Sequence, residues 1–216
     1  MEFLKNQRPL FLDPDLLRII IFVGPSGVGK GTIIKHVLNK SRDVEFCVSH
    51  TTRKPRAGET EGVDYFFVTH DQMNKYIKED KFLEYNEIHG NIYGTSYEAL
   101  DHIVKHKNKI PIMDINVDAA LSLKKKKNFF PFVIALLPKT MDVLKSRLRE
   151  RGKDDEDSIK VRLKTAETEI KLIIENKDKW DLVIVNDNFE DTIKIIEENL
   201  FKIIQENIFY ITMGVR

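Results

Sequence analysis

Residues 18–32 read Arg18-Ile19-Ile20-Ile21-Phe22-Val23-Gly24-Pro25-Ser26-Gly27-Val28-Gly29-Lys30-Gly31-Thr32. The first six form a short, continuous, largely β-branched apolar run, the pattern of a strand buried on both faces. A glycine-rich turn follows, and the amphipathic stretch 32–38 beyond it predicts a helix. Strand, glycine turn and helix in that order open a parallel α/β fold. Within the turn, the spacing Gly-x-x-x-x-Gly-Lys sets Lys30 at the helix start. Glycines let successive backbone N–H groups turn inward onto phosphate oxygens. The helix N-terminus adds positive potential, and a lysine there reaches the β- and γ-phosphates of a nucleoside triphosphate. The alternative is a glycine turn with an incidental lysine; the strand before it and the helix after it count against that. The residue after the lysine is Gly31, with Thr32 next, so the hydroxyl that commonly ligates Mg²⁺ at that point is displaced by one position.

Outward from this stretch, further buried strands are expected at 110–114, 132–137 and 182–185. They are separated by helical patterns at 117–126, 140–149, 158–177 and 189–204, with Asp157 and Ser158 as capping candidates for the third. Two stretches break the alternation. Residues 46–99 are rich in turn residues and short strand-like pieces such as 64–68, and read as an inserted α+β lobe. Residues 148–161 carry charge at almost every position and read as a mobile flap.

Composition bounds the function classes. A chain of 216 residues, 42% of them hydrophobic, can bury a domain-sized core, which excludes wholesale disorder. Thirty-five basic against 34 acidic residues give a net charge of +1, which excludes a uniformly basic coat for nucleic acid. The single cysteine, Cys47, excludes a disulfide framework and a multi-cysteine zinc site; it reads as a small core residue. The six histidines show no ligand spacing. The longest apolar stretches, 19–23 and 129–137, fall short of the roughly 20 residues that span a bilayer. Residues 1–18 alternate charge with apolar side chains and lack a signal core, so the cytosol is the expected compartment. The Lys124 to Lys127 run reads as a solvated helix end, with a patch for anionic partners as the alternative, and Trp180 as a packing anchor.

Three more groups carry chemistry. Residues 49–65 read SHTTRKPRAGETEGVDY. Arg53 and Arg56 lie three apart with Pro55 between them, and two guanidinium forks on a stiff loop suit a phosphate dianion, each gripping it bidentately. Ser49, Thr51 and Tyr65 add hydroxyl donors. A solvated loop with two surface arginines fits the same spacing. Arg147 and Arg151, four apart on one helical face, and Arg162 further on suit either charge neutralisation over a phosphate or salt bridges on a solvated helix. Arg149, between the first two, reads as such a salt-bridge partner. Asn186 and Asp187 close a strand.

Taken in order, GPSGVGK, SHTTRKPRAGE, GVDYFFV, FLEY, GNIYGT, RL-x-x-RG and IVND resemble the guanylate kinases, from about residue 18 to about residue 200. The resemblance implies a P-loop three-layer fold with a parallel five-stranded core sheet, an inserted GMP-binding lobe and a mobile helical lid. The matching domain would run over 18–206: core about 18–47, 100–139 and 164–206, lobe about 48–99, lid about 140–163. Residues 1–17 and 207–216 flank it and would either pack on the core or mediate self-association. It implies transfer of the γ-phosphate of ATP to GMP with Mg²⁺ in purine nucleotide metabolism. ATP would meet Ser26, Gly27, Val28, Gly29, Lys30, Gly31, Thr32, Asn186 and Asp187. The GMP phosphate would meet Ser49, Arg53, Arg56, Tyr65 and Tyr93, with Glu84 and Thr95 reading guanine and Asp114 orienting the acceptor phosphate or a metal-bound water. Lys30, Arg56, Arg147, Arg151 and Arg162 would be catalytic. Mg²⁺ would be held largely through water. The partners would be the two small-molecule substrates, with no nucleic acid or membrane, and the chain a monomer, a weak dimer being the alternative. Departures from the family pattern are Thr95 for serine, His50 for serine, Asn116 for a second aspartate and loss of a Gln-Gly pair at Asp118-Ala119. Two other functions fit the same fold: a catalytically inactive scaffold domain that binds phosphopeptides, and a kinase for another nucleoside monophosphate.

Overall fold

In a computed structural model of the chain, residues 17–152 and 155–212 are described, the latter with side chains as far as 205. The residues divide into two compact units, one comprising the described residues up to Lys40 and from Asp114 onward, the other Ser41–Met113. The parallel sheet has five strands, in the order Val44–Phe46, Ile110–Asp114, Leu17–Val23, Phe129–Leu137 and Leu182–Val185, the number the resemblance implies; the apolar runs mark four of them, and Val44–Phe46 is the one they miss.

In the first unit, β1 (Leu17–Val23) pairs in parallel with β8 (Phe129–Leu137), and β8 with β9 (Leu182–Val185). Ile19 to Val23 are all 0–1% exposed, as a strand covered on both faces requires. Burying each such side chain contributes roughly 1.5–3 kcal/mol, so this strand anchors the loop that leaves its C-terminal end. The helix after the loop is α1 (Lys30–Lys40), which turns Ile33, Ile34 and Val37 to the core. It begins two residues earlier than the apolar pattern indicates, because the glycines and Lys30 carry no hydrophobic signal.

Three of the unit's helices start at side-chain caps. Asn116 accepts from the Ala119 N–H at 2.8 Å to cap α4 (Val117–Leu123). This gives the departure at Asn116 a local physical role, since asparagine caps a helix as well as aspartate. Thr140 caps α5 (Met141–Glu150). The stretch expected as a flap, 148–161, is largely helical among its described residues: α5 runs to Glu150 and α6 (Glu156–Glu175) starts at once after Asp155. Lys153 and Asp154 of that stretch lie outside the described residues. The cap of α6 is Asp155, which accepts from the Ser158 N–H at 2.7 Å; Asp157 sits in the first turn, where an acidic side chain also favours the helix dipole. Between α6 and β9, Trp180 is buried and its indole N–H donates to the Ile173 carbonyl at 2.9 Å, the anchor its sequence position suggests. Lys124, first of the lysine run, pairs with Asp181 at 2.7 Å. The last helix is α7 (Phe189–Thr212).

In the second unit, β2 (Val44–Phe46) pairs in parallel with β7 (Ile110–Asp114). A smaller sheet has the order β4-β3-β6-β5, from β3 (His50–Thr51), β4 (Phe66–Phe67), β5 (Phe82–Ile88) and β6 (Asn91–Ser96). A capping box between Thr69 and Gln72 starts α2 (His70–Lys78), the reciprocal arrangement that satisfies two end donors at once. A short helix α3 (Tyr97–Asp101) leads into a π-helical turn, His102–His106. Among the described residues no helix is long and apolar enough to cross a membrane.

Candidate active site

The loop after β1 is built for close approach. Gly24 and Gly29 have φ of 145° and 107°, a region L side chains rarely enter. A Cβ at Gly24 would stand 2.5 Å from the Leu136 oxygen, and one at Gly29 2.6 Å from Asn186 Nδ2, so both space and conformation demand glycine. The Lys30 ammonium donates back to the carbonyls of Gly24 and, at 3.4 Å, of Pro25, and lies 3.7 Å from Asp114 Oδ1. The loop thus curls around its own cation. Asp114 ends β7, where open α/β sheets present ligand-binding groups. A third of its side chain remains accessible, yet the carboxyl sits deep enough among protein atoms that desolvation pushes its pKa up, with Lys30 pulling back.

Glu169 lies on α6, at a position that no sequence motif marks. Burial pushes its carboxyl up; Lys30 draws it down, and Asp114 and Asp118 push it further up. It belongs to the same electrostatic neighbourhood as the lysine. The available signal is its place seven residues after Arg162, two turns along one helix face.

The arginines of the α5–α6 region are placed unequally. Arg147 donates to the Val28 carbonyl at 3.2 Å and to the Asn186 carbonyl at 3.1 Å. Arg162 reaches Ser26 Oγ at 3.4 Å. Arg151 is exposed and ends α5, its backbone N–H on the Arg147 carbonyl. Arg149 forms a two-pronged pair with Glu156, 2.8 Å on each prong, the salt-bridge role its position suggests. Asn186 is 5% exposed and its amide donates to the Val28 carbonyl at 2.7 Å, so its side chain braces the loop from within. Asp187 is exposed and pairs with Lys139 at 2.8 Å. Thr32 is exposed on α1.

In the second unit, Glu84 and Thr95 face each other in register across β5 and β6. The Thr95 N–H donates to Glu84 Oε1 at 3.0 Å, and Thr95 Oγ1 lies 3.1 Å from Ser49 Oγ. Thr95 is fully buried, so its extra methyl is absorbed by packing while the hydroxyl keeps a partner. The Arg53 fork meets the Glu59 carboxylate at 2.9 and 3.0 Å. Tyr65 lies against it, ring centroid 5.3 Å from the guanidinium carbon, and Tyr93 stands edge-on to Tyr65 at 5.9 Å. Glu59 also accepts the Arg56 backbone N–H at 2.7 Å. Its place in a loop stiffened by Pro55, six residues from Arg53, is the signal that could have marked it.

Two other groups are excluded from chemistry here. Cys47 is 1% exposed, and burial, with Glu84 adding to it, pushes its thiol up to about 12, which leaves no thiolate nucleophile near neutrality. The His50 ring packs among Phe66, Tyr76 and Phe82, and burial lowers its pKa although Glu98 and Glu61 oppose this.

One chain thus carries a glycine-lined loop around a lysine, a Glu84–Thr95–Ser49 corner and two arginines joined through Glu59. The family model described as guanylate kinase matches residues 17–203. The chain belongs to the guanylate kinase family. It is 40% identical over 179 residues to a guanylate kinase of Clostridium perfringens, covering 83% of this chain and 80% of the relative. With a guanylate kinase of Schizosaccharomyces pombe it shares 41% identity over 182 residues, 84% of this chain and 89% of the relative. The crystal structure of guanylate kinase from Anaplasma phagocytophilum superimposes with a TM-score of 0.66 at 26% identity, covering 87% of this chain and 86% of that one. All the site residues expected from sequence fall inside the matched span.

Proposed function

We propose that the chain transfers the γ-phosphate of ATP to GMP, giving ADP and GDP, by direct in-line displacement, and that its two units divide the work. Family membership makes it an ATP:GMP phosphotransferase; the residue roles are our reading. The observation that carries them is the Glu84–Thr95 corner. Guanine presents its N1–H and exocyclic amine side by side, and a carboxylate accepts both; adenine offers no such pair. Sites built to use such bonds discriminate strongly, because the wrong base leaves their polar groups unpaired. Ser49, Arg53, Arg56, Tyr65 and Tyr93 supply the setting for the GMP phosphate.

On the ATP side, the backbone N–H groups of residues 26–32 and Lys30 hold the donor phosphates, and Asn186 and Asp187 border the adenosine. Phosphoryl transfer leaves little covalent work for the protein; positioning and charge neutralisation do most of it. Lys30, which donates to the Gly24 and Pro25 carbonyls, exchanges them for phosphate oxygens. Arg56, Arg147, Arg151 and Arg162 neutralise charge on the transferring group. Asp114, a third open beside Lys30, fits a water-mediated hold on Mg²⁺, which keeps most of its water in such sites. When bound with ATP, the ion supplies shielding of the β- and γ-oxygens. The reading includes a lobe at about 48–99, a lid at about 140–163, a cytosolic compartment and a monomer. The retained Lys30 counts against a scaffold without catalysis, and Glu84 against an AMP or dTMP kinase.

A coupled ADP-release assay with a panel of nucleoside monophosphates tests this. GMP is expected to be much the best acceptor; absence of turnover with GMP would overturn it.

A further inference from the structure

We propose that Glu59 is a positioning residue for the acceptor phosphate: it ties the Arg53 guanidinium and the Arg56 backbone to one carboxylate, so that Arg53 and the loop between the two arginines are held in place for GMP. The inference rests on the reading of this loop as the GMP-phosphate site. One oxygen of Glu59 takes the Arg53 Nη2 at 2.9 Å; the other takes Nη1 at 3.0 Å and the Arg56 N–H at 2.7 Å. Three donors therefore converge on two oxygens. The Arg53 and Glu59 side chains are only 12% and 14% exposed, and Arg53 Nη1 spends a further bond on the Lys54 carbonyl at 2.8 Å. The guanidinium is stacked against Tyr65 and Phe67, at 5.3 and 6.0 Å. A fork engaged this way has a fixed orientation: it stiffens residues 53–59 and lies against the Tyr65 ring, which in turn meets Tyr93.

The physical advantage is preorganisation. Two arginines on a loop of this kind repel each other, and an unbraced loop loses conformational freedom when a phosphate orders it. A carboxylate that already orders it shifts that cost from binding to folding. Two-pronged arginine–carboxylate pairs are suited to this because the fork fixes orientation as well as distance. Glu59 need not touch the substrate to do so.

Steady-state kinetics of Glu59→Gln and Glu59→Asp, together with competitive inhibition by guanosine, test the proposal. In Glu59→Gln one oxygen becomes an amide that points donors at a donor. The KM for GMP is expected to rise about tenfold or more, with the KM for ATP within about twofold of the parent. Inhibition by guanosine, which lacks the phosphate, is expected to be unchanged. Glu59→Asp, which keeps the charge, is expected to recover part of the loss. In a cycle with Arg53→Met, the double variant is expected to be no worse than Arg53→Met alone, because Glu59 acts through that arginine. An unchanged KM for GMP in Glu59→Gln would overturn the proposal. So would an equal loss of guanosine binding, which would mean general damage to the unit. If the parent chain itself fails to phosphorylate GMP, the functional reading fails first; a parent active on GMP with an indifferent Glu59→Gln sinks the positioning role alone.

Discussion

The loop around Lys30 and the loop around Arg53 each hold a cation before any phosphate arrives, and they do it by different means. Lys30 donates to two backbone carbonyls of its own loop, set there by glycines whose φ lies at 145° and 107°, with the Asp114 carboxylate further off at 3.7 Å. Arg53 is held by another side chain, Glu59, and by the flanking rings of Tyr65 and Phe67. The first cradle is a property of main-chain conformation, and the second of side-chain pairing. The first should therefore fail when a Cβ is added, whatever its chemistry, and the second when a charge is lost, whatever the backbone does.

The largest effect is expected at Gly29. Gly29→Ala forces a Cβ to within 2.6 Å of Asn186 Nδ2 at a φ of 107°, and strain and overlap together should cost about 3 kcal/mol or more. Turnover should fall by about a hundredfold, since small displacements of a phosphate cradle are magnified in rate. A stable, fully active Gly29→Ala would break the main-chain half of the comparison. Asn186→Ala comes next: it removes the buried amide bond to the Val28 carbonyl, expected to lower stability by about 1–3 kcal/mol by thermal denaturation. Combined with Gly29→Ala it should lose less than the sum, because the obstructing nitrogen is gone.

The side-chain half is probed by acid. Partial burial raises the Glu59 carboxyl, but the Arg53 guanidinium and the Arg56 N–H more than offset this, leaving it below its ordinary value of 4.5. A carboxyl depressed in the folded state contributes stability above the unfolded pKa, and that contribution is lost as pH falls through the folded one. Melting temperatures of the parent and Glu59→Gln should therefore be separated above the ordinary value of 4.5 and draw together as the pH falls below it; parallel curves would show that the pair contributes nothing. The smallest effect is expected at Gly31, where φ is not positive and a Cβ meets nothing within 4 Å. Gly31→Ala should raise stability by about 0.5–1 kcal/mol, the ordinary gain for a helical site. A loss there would show that the demand for glycine extends past the loop.

The contrast also accounts for what could be read from sequence. A cradle made by main chain is local: strand, glycines and lysine lie within fifteen consecutive residues, and their spacing is their geometry. The strands at 110–114 and 182–185 were legible for the same reason, each a continuous apolar run. The second cradle depends on pairing. Glu59 stood in the quoted motif without a role, because nothing in its spacing says that its carboxylate turns back on Arg53. Glu169 was invisible until α6 set it near Lys30. Charge density at 148–161 left the secondary structure open, and among the described residues Asp155 caps a helix there and Arg149 bonds Glu156. Asn116 looked like a loss beside Asp114 and proves to be a cap. Charged residues report solvent exposure and leave the secondary structure open; apolar periodicity reports both.

The central claim is that the Ser41–Met113 unit reads guanine through Glu84. The most direct measurement is the ratio of kcat/KM for GMP to that for AMP, compared between the parent chain and Glu84→Gln. The parent should favour GMP by a large factor, and the variant should lose about two orders of magnitude on GMP with little change on AMP. A variant that keeps the parent's preference for GMP would contradict the account.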